Sequence, residues 1–413
     1  MARTLDVYLH RELVGHLIQD DGGQMVFDYA ERWLQRPDAT PLSHSLPLRR
    51  ERFKRNECRG YFAGVLPEES KREIIARNLG ISERNDYAML ERIGGECAGA
   101  VTFVPTGEAL PTLDDHYRAL SAPELAGILR ELPRRPLLAG ETGIRLSLAG
   151  AQDKIAVRVE DDAISLPLGG APSTHILKPA VERFAGVVFN EAYCMRLAAA
   201  VGLPVAKTEI RRVEDVEYLL VERYDRTHGH GPEGTTLDRL HQEDFCQALG
   251  IVSENKYQKE GGPSLKQCFA LLRTVSSAPV IDLARLLDAV IFNFLVGNND
   301  AHGKNFSLLY RGVDSASLET RLAPLYDLVS TRYYPELTRE LAMKIGGEYS
   351  SDRVSKANFE QLAEDAGLAK PLVRSRVPEL AEAVILNLEE TGIENPAVVA
   401  LTEQIRERCA GIR

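Results

Sequence analysis

A long apolar run that ends abruptly in polar residues constrains this chain more than any other stretch. Leu283 to Val296 has the periodicity of a helix, and Gly297 is a helix stop. Asn298-Asn299-Asp300-Ala301-His302-Gly303-Lys304-Asn305 follows at once, and Phe306 to Tyr310 reads as a strand. Asp300 and Asn305 stand five positions apart. A kinase catalytic loop has this D-x-x-x-x-N spacing. There a carboxylate orients the attacking hydroxyl and accepts its proton, and an amide ligates a metal ion. The His-Arg pair common before that aspartate is missing here. A plain polar connection between helix and strand would use the same residue types. The rest of the chain has to decide.

The chain has 413 residues, 44% of them hydrophobic, which allows two or three domains with real cores. Its net charge of −10 speaks against nucleic-acid binding through overall charge, although a local basic patch stays open. No apolar run reaches the roughly eighteen residues of a transmembrane helix. The first residues, Met1 to Val7, lack an apolar signal core. The six cysteines are scattered and form no C-x-x-C pair. These features predict a reduced cytoplasmic protein without structural zinc.

Residues 1–105 read as a separate α+β module. Thr4 to His10 and Glu12 to Leu17 predict a hairpin, and Met25 to Tyr29 a third strand. Helices are expected over Pro67 to Asn78 and from Tyr87 to Ile93, with a closing strand over Ala100 to Pro105. Trp33 is expected in the core or as an anchor to a neighbouring domain. Residues 106–143 form a connecting segment. It contains one helix, Ser121 to Glu131, opened by the capping-box pair Ser121 and Glu124. Residues 144–240 predict strands over Ile155 to Val159, Ile164 to Leu168 and Thr174 to Pro179. A helix over Phe189 to Val201 follows, then a hairpin of Lys207 to Arg212 with Tyr218 to Glu222. Residues 241–413 are mainly helical.

Phosphoryl transfer needs a phosphate cradle, a cation, metal-binding groups and a hydroxyl-orienting carboxylate. Candidates occur in chain order. Ala149-Gly150-Ala151-Gln152-Asp153-Lys154 is a small-residue loop whose amides can approach an anion. Lys178 ends the third strand, where a phosphate-binding lysine belongs, and Glu191 on the next helix is its natural counter-ion. Asp300 and Asn305 form the catalytic loop, and Asp327 stands where a second metal-binding carboxylate is expected. Each has a simpler reading. Lys178 can be a solvated strand end, Glu191 a surface residue, Asp327 a helix cap and His302 a structural loop histidine. His228 and His230 read as part of a glycine-rich turn rather than as a metal pair. The case rests on the ordered set.

The set resembles the HipA-type toxin kinases, the kinase half of bacterial toxin–antitoxin pairs, and the resemblance runs over nearly the whole chain. In the first module it includes Leu42-Ser43-His44-Ser45-Leu46-Pro47-Leu48 and Tyr61-Phe62-Ala63-Gly64-Val65-Leu66-Pro67. Gly94-Gly95-Glu96-Cys97 matches less closely, with Glu96 in place of the usual aspartate. Later it includes Ser147 to Lys154, Ser173 to Lys178, Leu220 to Arg226 and Gln242 to Gln247. Lys256-Tyr257 with Gly261-Gly262-Pro263, Asp300 to Ser307, and Pro324-Leu325-Tyr326-Asp327 complete it.

The resemblance implies an α+β, two-lobed protein-kinase-like fold, with the small N-terminal module and a mainly helical C-terminal lobe. It implies ATP and Mg²⁺. Lys178 would contact the nucleotide phosphates, and Glu222, Arg223 and Tyr224 would form the hinge that binds adenine through backbone. Asp300 would be the catalytic base. His302, Gly303, Lys304, Asn305, Tyr326 and Asp327 would bind nucleotide, with Asn305 and Asp327 on the metal. Ser147 matches the autophosphorylated serine of the family, in a loop that leaves the pocket when modified. The implied acceptor is a protein, an aminoacyl-tRNA synthetase, whose modification stalls translation and arrests growth. The implied partner is a small helix-turn-helix antitoxin that carries the pair onto operator DNA for transcriptional autoregulation, with no membrane involved. Three other readings stand beside it: a small-molecule kinase of the same fold, an ATP-binding corepressor subunit with little catalysis, and a scaffold.

Overall fold

A computed structural model describes residues 2–110, 116–231, 234–312 and 317–412. Residues 111–115 of the expected connecting segment therefore lie outside the described residues. The chain folds as two compact units. One comprises Met1–Pro179, Arg211–Glu254 and Leu309–Glu319, the other Ala180–Ile210, Asn255–Leu308 and Thr320–Arg413.

The first unit is built on two antiparallel sheets. In one, Met25–Tyr29, Glu12–Gln19, Arg3–Leu9 and Val101–Pro105 lie side by side in that order. Alternation puts Leu5, Val7 and Leu9 on the buried face with Leu17, and Val14 is buried at the register shift between Val7 and Tyr8. Trp33 belongs to this core, its indole N–H donating to the Thr40 carbonyl at 3.0 Å. The helices Glu69–Leu79 and Asp86–Ile93 lie where the sequence predicts them, and the capping box of Ser121 and Glu124 opens Ala122–Glu131. A further helix, Arg55–Gly64, was not evident from pattern, because Gly60 and Gly64 weaken its helical signature. The packing needs both glycines. A Cβ on Gly60 would meet the Gly250 backbone at 2.4 Å.

In the second sheet Tyr117–Ala119, Ala163–Pro167, Ile155–Glu160, His175–Pro179 and Val216–Glu222 follow one another. Lys178 pairs with Leu219 in the last ladder. The stretch holding His228 is a strand, not a turn: Arg226–Gly231 pairs with Gly234–Arg239 as a hairpin.

The second unit is mainly helical. Val187–Ala200, Leu265–Val275, Pro279–Val296, Lys356–Ala366, Lys370–Asn387 and Pro396–Ile412 supply its core. The helix Pro279–Val296 is buried over nearly all of its last three turns, from Leu286 to Val296. It therefore delivers the residues after it from a rigid support.

Candidate active site

Gly297 ends that helix in the left-handed region, at φ 74°, and the Asn298 amide reaches back to the Asn293 carbonyl at 2.8 Å. This is a Schellman closure. A Cβ at Gly297 would lie 2.9 Å from Arg332, so both space and backbone angle select glycine. Side-chain amides then shape the loop. Asn298 Nδ2 donates to Asn293 Oδ1 at 2.7 Å, and Asn298 Oδ1 accepts the Asp300 amide at 3.2 Å. Asn299 accepts nothing from this pair; its amide donates to Thr331 Oγ1 at 2.9 Å and its Nδ2 to the Thr338 carbonyl at 3.1 Å. The backbone around Asp300 is thus held on both sides while its carboxylate is exposed.

The remaining loop folds back on itself. The His302 amide donates to the Asp300 carbonyl at 2.8 Å, and Asn305 Oδ1 accepts from the same amide at 3.1 Å. Tyr326 clamps the outer side. Its hydroxyl donates to the Lys304 carbonyl at 2.6 Å and so accepts from Ser307 Oγ, 2.7 Å away. His302, Gly303, Lys304 and Asn305 are all buried.

Asp327 follows with a left-handed backbone, φ 58°, a conformation that costs a non-glycine residue energy and that recurs at functional sites. Its Oδ2 accepts from Asn305 Nδ2 at 3.1 Å. The structure therefore brings together the two residues expected on the metal. A carboxylate and a carboxamide side by side are hard oxygen donors of the kind Mg²⁺ takes along with phosphate oxygens and water. The residues present fit that ion. Among the described residues no group of three or more His, Cys, Asp or Glu is arranged to hold a metal ion.

The other expected residues belong to the first unit. Lys178 is buried on its strand, not a solvated strand end. In the small-residue loop, Ala149, Gly150, Ala151 and Gln152 are half-buried. Lys154 Nζ donates to the Ala149 carbonyl at 2.7 Å and closes the loop on itself. Gly150 has φ 104° and its missing Cβ would meet Lys154 Nζ at 2.6 Å, so the turn depends on glycine. Asp153 pairs with Lys71 at 2.6 Å. At the loop's root Ser147 is fully buried: its hydroxyl donates to the Val65 carbonyl at 2.8 Å and its amide to the Glu96 carbonyl at 2.8 Å.

Within the expected hinge, Glu222 is exposed and Tyr224 half-buried, its hydroxyl on Gln242 Oε1. Arg223 differs from both. Its guanidinium lies in a buried ion cluster, with Asp225 Oδ2 at 2.8 Å, Glu96 Oε1 at 3.1 Å and Ser173 Oγ at 2.9 Å. Its amide donates to the Thr174 carbonyl at 2.9 Å. Arg223 thus serves structure through its side chain, and neither that side chain nor its amide is presented to a ligand.

One residue of this site had no role in the sequence reading. Tyr257 places its hydroxyl 2.9 Å from Asp300 Oδ1 and its ring edge-on to His302, with centroids 5.4 Å apart. The signal was the Lys256-Tyr257 and Gly261-Gly262-Pro263 pair of motifs, which spacing alone could not connect to a loop more than forty residues away.

Comparison with known proteins bears on this geometry. Residues 5–104 match the HipA N-terminal domain, and residues 146–388 match the HipA-like C-terminal domain. A candidate kinase, Y4mE of Sinorhizobium fredii, is 47% identical over 398 residues, covering 94% of this chain and 93% of its own. The serine/threonine-protein kinase toxin HipA of Shewanella oneidensis is 30% identical over 426 residues, covering 98% and 95%. Among solved structures, the complex of Shewanella oneidensis HipA, HipB and operator DNA matches with a TM-score of 0.85 at 28% identity, over 99% of this chain and 97% of the other.

Proposed function

The chain belongs to the HipA family of kinases, and from that premise we propose that it transfers the γ-phosphate of ATP to a serine or threonine hydroxyl of a protein. The observation that carries this reading is the loop after Gly297. It leaves one carboxylate, Asp300, exposed on a pinned backbone, and beside that loop Asn305 touches Asp327. Catalysis of phosphoryl transfer is chiefly positioning and charge stabilisation, so a rigid loop with a single outward base suits it.

Asp300 accepts the proton of the acceptor hydroxyl as the oxygen attacks. Lys178 neutralises phosphate charge, and the amides of residues 149–154 cradle the phosphates. Adenine is held by backbone of the Glu222–Tyr224 segment other than the Arg223 amide. His302, Gly303 and Lys304 line the nucleotide with Tyr326, and Asn305 and Asp327 would hold Mg²⁺. When bound, that ion neutralises charge on the transferring phosphate.

Ser147 is the self-acceptor in this reading. It can react only after leaving its buried seat against Val65, and a phosphate of about −1.5 to −2 charge could not return to that seat. Self-modification would therefore hold the loop out and disable the cradle. The external acceptor is an aminoacyl-tRNA synthetase. The partner is a small helix-turn-helix antitoxin of the HipB kind, through which the chain reaches operator DNA. The naming of HipB and operator DNA in the solved relative supports this. No described helix is long and apolar enough to cross a membrane. The reading places the work in the cytoplasm, on the nucleoid when the antitoxin is bound.

The test is incubation of the dephosphorylated protein with Mg²⁺ and γ-labelled ATP, followed by mapping of the label. Label on Ser147 that disappears in Asp300→Ala is expected. Tight ATP binding with no label on this chain or on purified synthetases would instead leave a nucleotide-binding corepressor or a small-molecule kinase.

A further inference from the structure

We infer that Tyr257 is a positioning residue for the catalytic base, and that the Lys256–Pro263 segment exists to present it. This rests on the reading of Asp300 as that base.

Asp300 is exposed, so core packing does not fix its carboxylate. A general base must instead keep one oxygen within hydrogen-bond reach of the acceptor hydroxyl. The Tyr257 hydroxyl donates to Asp300 Oδ1 at 2.9 Å and so favours one orientation of the carboxylate. It is a neutral donor, so it orients the carboxylate without cancelling its charge as an arginine would.

Tyr257 is itself held. Its carbonyl accepts two amides, those of Glu260 and Gly262, both at 2.9 Å. The turn they close requires glycine twice. Gly261 has φ 98°, and a Cβ on Gly262 would meet the Asn255 carbonyl oxygen at 2.4 Å and the Lys256 oxygen at 2.6 Å. The ring of Tyr257 stands edge-on to His302, at 77° and 5.4 Å. His302 in turn donates its amide to the Asp300 carbonyl at 2.8 Å. Asp300, Tyr257 and His302 therefore form a closed circuit: the base is tied by its carboxylate to the tyrosine, the tyrosine by its ring to the histidine, and the histidine by its amide to the base. The Lys-Tyr and Gly-Gly-Pro motifs gain a common purpose in this circuit, and His302 gains one as a packing surface with no proton to move.

A tyrosine that only filled space would tolerate loss of its hydroxyl. The discriminating experiment is a double-mutant cycle in the full chain with Tyr257→Phe, Asp300→Asn and the pair. Initial rates of label transfer from γ-labelled ATP to dephosphorylated casein and to the protein itself are read beside affinity for a fluorescent ATP analogue. Tyr257→Phe is expected to lower transfer about tenfold while leaving nucleotide affinity within about twofold, because it loosens the base and not the nucleotide. Asp300→Asn is expected to lower it about a thousandfold, and the double variant no further than about twofold beyond that, since the hydroxyl acts only through the carboxylate. Wild-type rates in Tyr257→Phe would overturn the inference. So would a further tenfold loss in the double variant, which marks a role independent of Asp300. Wild-type rates in Asp300→Asn would remove the assignment of the base itself, and absence of any transfer by the wild type with ATP bound would remove the kinase reading. Thermal unfolding of each variant checks the fold; Tyr257→Trp, which keeps a ring donor but misplaces it, supplies a second loss of transfer if Tyr257→Phe unfolds.

Discussion

The buried ion cluster around Glu96 and the loop around Asp300 each centre on one carboxylate, yet they are built on opposite terms. Glu96 is completely buried and faces three guanidiniums, Arg223 at 3.1 Å, Arg226 at 2.8 Å and Arg239. Asp225 adds a second carboxylate, bound to Arg223 and Arg226 and accepting the Gly99 amide at 2.7 Å. Burial alone would raise the Glu96 pKa; Arg226, Arg239 and Arg223 outweigh it and hold Glu96 below the ordinary carboxylate range. Asp300, by contrast, is exposed; a neutral phenol donates to its carboxylate, and its backbone is held by side-chain and main-chain amides. Dense compensation makes a charge inert and structural. An exposed carboxylate oriented by a phenol stays able to take a proton.

The sharpest way to break that contrast is to remove each carboxylate and ask what is lost. Asp300→Ala is expected to lower transfer by about a thousandfold or more, with a thermal midpoint close to the wild type, because the residue is exposed. Retention of transfer in rate measurements would sink the contrast at its functional end. Glu96→Gln is expected to do the reverse. The cluster sets three arginines against two carboxylates, and the substitution leaves three against one. Loss of one partner from a buried ion set costs about 3–5 kcal/mol. Urea unfolding measures it; a midpoint equal to wild type would show that the cluster tolerates uncompensated charge.

The two regions were also unequally legible in the sequence. The catalytic loop is local: helix, glycine stop, amide-rich turn and strand are consecutive, so spacing reveals Asp300 and Asn305 together. The strands Arg3–Leu9 and Met25–Tyr29 and the helix before Gly297 were legible for the same reason, since periodicity and caps are short-range signals. The ion cluster is not local. Arg223 and Glu96 are 127 residues apart, and sequence comparison showed Glu96 only as an imperfect match to a family aspartate. Its role depends on which arginines the fold brings to it. Tyr257 was hidden likewise, its hydroxyl meeting a carboxylate 43 positions away. The hairpin Arg226–Gly231 with Gly234–Arg239 reads as a turn in the sequence because its glycines mask the strand pattern.

The mildest test concerns titratable groups that are buried with no ion pair among the described residues, the case between Glu96 and Asp300. The strand His241–Asp244 holds two. Glu243 accepts from Ser43 Oγ at 2.5 Å, from the His44 amide at 2.9 Å and from the Tyr310 hydroxyl, but burial outweighs these bonds and pushes its pKa up to about 7. His241 donates Nε2–H to the Leu42 carbonyl at 2.8 Å and stacks on Tyr310, and burial brings its pKa down to about 4. Their effects on stability have opposite signs. Glu243, raised in the folded state, stabilises below its unfolded value of 4.5 and loses that contribution as pH rises through about 7. His241, lowered in the folded state, stabilises above its unfolded value of 6.5 and loses that contribution as pH falls through about 4. Between these limits the folded protein carries one proton on Glu243 and the unfolded chain one on the histidine, so the pair adds no pH dependence. Each substitution uncovers the other residue. Relative to wild type, Glu243→Gln is expected to make stability rise from pH 4.5 to 6.5, and His241→Gln to make it fall, each by about 2–3 kcal/mol. Urea titrations across that range decide it. Profiles parallel to wild type in both variants would mean that water or a counter-charge reaches this strand, and that burial here is compensated in the manner of Glu96 after all.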